Sequence, residues 1–159
     1  MPNKWTFTIK PIKQLLEEEL TDGIWVDPFA GMNSPATIKN DLNPDIPADY
    51  HMDAIDFLKL QPDNSIDGVL FDPPYSVRQV AECYKGFGIN VTQEMTRMNF
   101  YSDMKKEIAR IVKPNGKVIC FGWTSMGIGK TRGFEMTRIL LVPHGGQKND
   151  TICTVEIKK

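Results

Sequence analysis

The sequence predicts an α/β fold: a mostly parallel sheet that closes with an antiparallel C-terminal hairpin. Three observations carry this. Short apolar runs at 24–26, 66–71 and 117–123 alternate with segments of helical periodicity, the pattern of strands joined by crossover helices. Two β-rich runs at the end, 134–142 and 151–157, are separated only by a polar loop at 143–150, which reads as a hairpin. The chain has 159 residues, 41% hydrophobic and 25% charged. That is the size and composition of one globular domain spanning 1–159.

The elements follow in order. Pro11 is a good first helical residue, and Ile12, Leu15, Leu16 and Leu20 recur at helical spacing. Gly23 punctuates, and Ile24-Trp25-Val26 is a buried strand ending at Asp27. A second short strand covers 37–41, and a helical turn covers 53–58. The run 66–71 is stopped by Asp72-Pro73-Pro74, because two prolines cannot continue a central ladder. Val77, Val80, Ala81 and Tyr84 fit one helix face, and 85–100 reads as a long loop. Ser102 can N-cap a helix whose inner face is Met104, Ile108, Ile111 and Val112. Pro114-Asn115-Gly116 stops it, and the strand 117–123 follows.

Charge is balanced overall, at −1, but not along the chain. Residues 1–75 hold 5 basic and 13 acidic side chains; residues 100–140 hold 8 basic and 3 acidic ones. Nucleic-acid binding by bulk positive charge is excluded, whereas a local basic patch (Lys105, Lys106, Arg110, Lys113, Lys117, Lys130, Arg132, Arg138) could steer a polyanion. The same residues could equally be solvated faces. No apolar run is long enough to span a membrane. Cys83, Cys120 and Cys153 make neither a disulfide framework nor a zinc site, and no signal-peptide-like run is present. A reducing, cytoplasmic compartment is the expectation. No His/Cys cluster has metal-ligand spacing, so no metal is expected.

Ligands of open α/β sheets bind beyond the carboxyl ends of strands, at a topological switch point. Two strands here end in acidic turns, Asp27-Pro28-Phe29-Ala30-Gly31 and Asp72-Pro73-Pro74-Tyr75. If the strands are neighbours, both turns open into one crevice. The second suits an amino group attached to an aromatic ring. The Asp72 carboxylate and the Pro73 carbonyl could each accept one N–H bond and favour a more tetrahedral nitrogen. The prolines fix the backbone that holds that carbonyl. Tyr75 offers a face for stacking a planar base.

On these residues the sequence resembles the DPPY-type amino-methyltransferases, which transfer methyl from S-adenosylmethionine to N6 of adenine or N4 of cytosine in DNA and leave S-adenosylhomocysteine. The resemblance covers roughly residues 5–123, with the tail fitting the family's closing hairpin. It implies a Rossmann-like class I methyltransferase sheet with a reversed last strand. The stretch from Lys10 and Pro11 to Leu16 looks like the family's first helix, beside the methionine end of the cofactor. Asp27, Pro28, Phe29, Ala30, Gly31 and Asn33 look like its cofactor loop. Asp41 and Leu42 would lie at the ribose, and Asp53 and Ala54 at the cofactor's adenine. Asp72, Pro73, Pro74 and Tyr75 would be the catalytic tetrapeptide. The first position being Asp favours adenine, by analogy within the family; cytosine N4, RNA, or a non-catalytic nucleic-acid-binding module of the same fold are the alternatives.

Two departures stand out. Gly31 is followed by Met32-Asn33-Ser34-Pro35, and only 13 residues separate Asp27 from Asp41. The first crossover helix should therefore shrink to a turn. At this length a separate recognition domain is not expected. Substrate contacts fall to a lid or loop at 76–103 carrying Arg78, to the 124–133 loop with Lys130 and Arg132, and to Trp123 and His144. A single-stranded substrate, a homodimer or a recognition subunit would each suit so small an enzyme. Gly127-Ile128-Gly129-Lys130-Thr131 looks like the end of a phosphate-binding loop, but Thr124 stands where the full pattern needs glycine.

Overall fold

The computed structural model describes residues 5–74, 99–146 and 148–159. The helix expected around Val77 to Tyr84, most of the 85–100 loop, and both Tyr75 and Arg78 lie outside the described residues.

Six strands form one sheet: β1 (Trp25–Asp27), β2 (Ile38–Lys39), β3 (Ile66–Phe71), β4 (Val112–Gly122), β5 (Phe134–Val142) and β6 (Thr151–Lys158). Their order is β2-β1-β3-β4-β6-β5. The first four run parallel, and β6 inserts antiparallel between β4 and β5. The C-terminal hairpin is thus present, with β5 as the sheet's edge. Three helices of more than one turn are described: α1 (Lys10–Glu19), α2 (Ala54–Leu60) and α3 (Asn99–Ile111).

Apolar side chains leave both sheet faces. On one, α1 buries Ile12, Leu15 and Leu16 against Trp25, Leu70, Ile119, Phe121 and Val155. On the other, α2 and α3 bury Phe57, Leu58, Met104, Ile108 and Ile111 against Val26, Val69, Phe71 and Val118. Ion pairs fasten the first layer: Glu19 meets Lys117 of β4 at 3.0 Å, and Arg138 of β5 meets Glu18 at 2.6 Å.

The first crossover carries no helix between β1 and β2, as the short spacing predicts. The chain can do without one because α1, lying before β1, already covers that face; Ala36 of the connection joins the same core.

Three expectations are corrected. Ser102 lies inside α3 and is no N-cap; its Oγ instead accepts from Arg132 at 3.0 Å. Phe100, two residues before it, is already helical and buried in the α2–α3 core. The helix ends at Ile111, and Val112 already pairs with Ile66 of β3. Pro114-Asn115-Gly116 therefore bulges within β4 rather than terminating a helix, with Asn115 at φ 67°. The second strand shrinks to Ile38–Lys39, continued by an isolated bridge from Asn40 to Tyr50.

Candidate active site at the switch point

The chain leaves β1 toward β2 on one side and later returns to β3 on the other. The topological switch point thus lies between β1 and β3, where ligands of such sheets bind. Asp27 ends β1 and Asp72 directly follows β3, so both acidic turns arrive at this point.

The Asp27 side chain is fully buried and organises its own turn. It accepts from the Phe29 amide at 2.9 Å and from Ser34 Oγ at 2.6 Å. Burial raises its pKa from 3.8 to about 7, against the lowering effect of the bonds from Ser34 and Phe29; the charge of Asp72 raises it further. Asp72 is buried too, and its charge also raises Cys153, whose pKa burial already pushes up to about 12. Pro28, Phe29, Ala30 and Gly31 are all buried in the turn. Gly31 sits at φ 61°, in the left-handed region that suits glycine.

Asp41 follows β2 and is buried. Its carboxylate accepts from the Gly31 amide at 2.8 Å and the Asn43 amide at 2.9 Å. Beside it, His51 Nδ1 lies 3.0 Å from the Asp41 carbonyl oxygen, and Leu42 is half-buried against the core. Asp53 caps α2, accepting from the Ile55 amide at 2.9 Å; Ala54 is buried behind it. Lys10 and Pro11 open α1 and are exposed, as is Asn33.

Two further residues shape the site, and neither stood out in the sequence. Asn40 is buried and joins three segments: its Nδ2 donates to the Pro28 and Met52 carbonyls, at 3.1 and 2.9 Å, and its Oδ1 accepts from the Met52 amide at 3.1 Å. Its signal is only that of a polar residue buried just after a strand. Tyr101 of α3 donates its hydroxyl hydrogen to the Pro74 carbonyl. It thereby braces the Asp-Pro-Pro exit, and burial pushes its pKa up to about 12.

A cavity of about 360 Å³ adjoins this exit, lined by Pro73, Tyr101, Lys105, Cys120, Trp123 and Met126 among others. It is predominantly apolar, and its volume falls within the range of small-molecule sites. Trp123 is on its rim, 39% exposed. His144 is farther along, at the hairpin tip, with Nε2 2.7 Å from Thr151 Oγ1. Lys130 is exposed in a short 3-10 turn, and Arg132 donates to the Ile128 carbonyl at 3.2 Å.

The segment resembling a phosphate loop has an internal occupant. Glu156 of β6 is buried and accepts from the Ile128 amide at 2.7 Å and the Gly129 amide at 3.0 Å. A side chain at Gly127 would meet its carboxylate at 2.4 Å. Amides that would cradle a phosphate are thus turned to the protein's own carboxylate, and the loop becomes a rim of the cavity. An acid at an inward position of an apolar strand was the available signal. Among the described residues no group of His, Cys, Asp and Glu could hold a metal ion, and no helix is long and apolar enough to cross a membrane.

No family model matches the chain, and no curated protein matches its sequence. Solved structures match in shape. A 1,6-didemethyltoxoflavin-N1-methyltransferase from Burkholderia thailandensis, solved with 1,6-didemethyltoxoflavin and S-adenosylhomocysteine, is 13% identical, covering 94% of this chain and 77% of its own at a TM-score of 0.62. An S-adenosylmethionine-dependent methyltransferase from Archaeoglobus fulgidus is 11% identical, with 94% of each chain covered at 0.57. The fold is that of S-adenosylmethionine-dependent methyltransferases. TrmN from Thermus thermophilus shares it, at 17% identity and a TM-score of 0.60; the match covers 92% of this chain and about half, 48%, of TrmN. At these identities the likeness is one of fold.

Proposed function

We propose that the chain is an S-adenosylmethionine-dependent methyltransferase acting on an exocyclic amino group of a nucleobase, with N6 of adenine in DNA the favoured target. One observation carries the reading: two buried acidic turns meet at the sheet's switch point, and the second opens on an aromatic-lined cavity.

The residues fit the cofactor. The turn from Asp27 to Gly31 and the acid Asp41 stand beyond adjacent parallel strands, the arrangement that holds a nucleoside in related sheets. Asp41 and Asn40 lock this turn through backbone bonds, so it is formed before any ligand arrives. The bound cofactor would supply an activated methyl group on sulfur. The chain's own work is then mostly orientation. Asp72 and the Pro73 carbonyl hold the two amino hydrogens and aim the nitrogen lone pair. Tyr101 keeps the Pro-Pro backbone from shifting. The rim of Trp123 and Met126 shields the ring from water, and Tyr75 stacks it. A proton leaves the nitrogen after transfer.

The test is Asp72→Ala. Methyl transfer should be abolished, while calorimetric binding of S-adenosylmethionine is largely retained. An active variant would reject the assignment. Retained nucleic-acid binding with no cofactor heat in the wild type would favour the non-catalytic module, which the helix-free first crossover motivates.

A further inference from the structure

Residues 100–140 hold eight cations, and the structure sorts them. Arg110 bonds Asp63 and Glu107, Lys113 bonds Asp67, Lys117 bonds Glu19, and Arg138 bonds Glu18 and Glu19. Arg132 is held by Ser102 Oγ and the Ile128 carbonyl. Lys106 and Lys130 are exposed on the surface. Most of the patch thus stitches the fold together and is not displayed to a ligand.

Lys105 is different. It is half-buried on α3 and lines the cavity beside Pro73, Tyr101 and Trp123. Among the described residues it has neither a hydrogen bond nor an ion pair. The ionisable group it bears on inside the cavity is Cys120, whose thiol burial holds at about 12 and therefore neutral at physiological pH. Among the described residues no carboxylate is bonded to this ammonium, so an anion arriving in the apolar cavity would be favoured there. The neighbouring apolar and aromatic walls suit an uncharged ring, and such a ring brings no anion of its own.

We propose that Lys105 receives a phosphate of the substrate, so that the cavity selects a nucleotide within a strand over a free base or nucleoside. This rests on the nucleobase reading above. The ring would lie between Pro73 and the Trp123 rim, and its backbone phosphate would point to α3.

The test compares wild type with Lys105→Gln and Lys105→Arg, using a short single-stranded oligodeoxyadenylate and adenosine as probes. Binding is measured over a range of salt concentrations, with folding checked by the urea midpoint. A phosphate contact on a single strand contributes about 0.7 to the slope of log affinity against log salt. Lys105→Gln should lower that slope by about this amount and weaken oligonucleotide binding roughly tenfold at low salt. Adenosine binding should be unchanged, and Lys105→Arg should restore the slope. An unchanged slope, or equal weakening of both probes, would overturn the phosphate assignment while leaving the nucleobase reading intact. If wild type binds neither probe, the nucleobase reading fails and this inference with it.

Discussion

The substitution Asp27→Asn should change how stability depends on pH. In the folded chain burial lifts the Asp27 carboxyl from 3.8 to about 7. Between those values the folded state keeps a proton that the unfolded state has released. Stability from this group is therefore fully present below pH 4 and is lost as pH rises through about 7. The lift corresponds to about 4 kcal/mol across that window. The introduced amide would keep the bond from the Phe29 N–H and could donate to Ser34 Oγ, so the turn survives. The assay is urea unfolding of both proteins from pH 4 to 8, taking the difference at each pH. Groups that behave alike in both proteins cancel, while the difference includes the coupling to Asp72. Wild type should lose about 4 kcal/mol relative to the variant between pH 4 and 7.5, and nothing further above. Parallel profiles, or a difference that grows in favour of wild type, would refute the buried, proton-retaining Asp27.

Other outcomes follow from the same structure. Glu156→Ala should cost about 3 kcal/mol in urea unfolding, since the buried Ile128 amide and the half-buried Gly129 amide lose their acceptor; Glu156→Gln, which keeps one acceptor oxygen, should cost less. Asn40→Ala removes three hydrogen bonds of a buried side chain and should destabilise by about 2–4 kcal/mol, with weaker cofactor binding in calorimetry. Asp53→Ala should cost about 1 kcal/mol as a lost helix cap. Asp53→Asn keeps the cap, so a loss of cofactor affinity without a loss of stability would separate ligand binding from capping.

The elements that could be read from the sequence were those whose cause is local. Pro11 with the spacing of Ile12, Leu15 and Leu16 marks α1, and the Asp72-Pro73-Pro74 exit marks the end of β3. The short path from Asp27 to Asp41 foretold a crossover without a helix. What escaped depends on distant partners. Ser102 has the chemistry of a cap, but the helix already includes Phe100, which finds a core built by α2. Pro114-Asn115-Gly116 has the composition of a stop, yet pairing of Val112 with Ile66 carries β4 through it as a bulge. The basic stretch could not be divided from sequence, because the acids that neutralise Lys117 and Arg138 lie on α1, about a hundred residues away. Lys105 stands out only after those pairs are known. In the candidate site, Asp27, Asp41 and Asp72 were legible from their places after apolar runs. Asn40, Tyr101 and Glu156 were not, since each acts on backbone brought near by the fold.

The central claim is most directly tested by incubating the wild-type protein with methyl-labelled S-adenosylmethionine and a panel of double- and single-stranded DNA and RNA, then digesting to nucleosides. The account predicts label on an exocyclic amine, foremost N6-methyldeoxyadenosine from DNA. Label confined to ring carbon, ribose or protein, or no transfer to any nucleic acid, would contradict it.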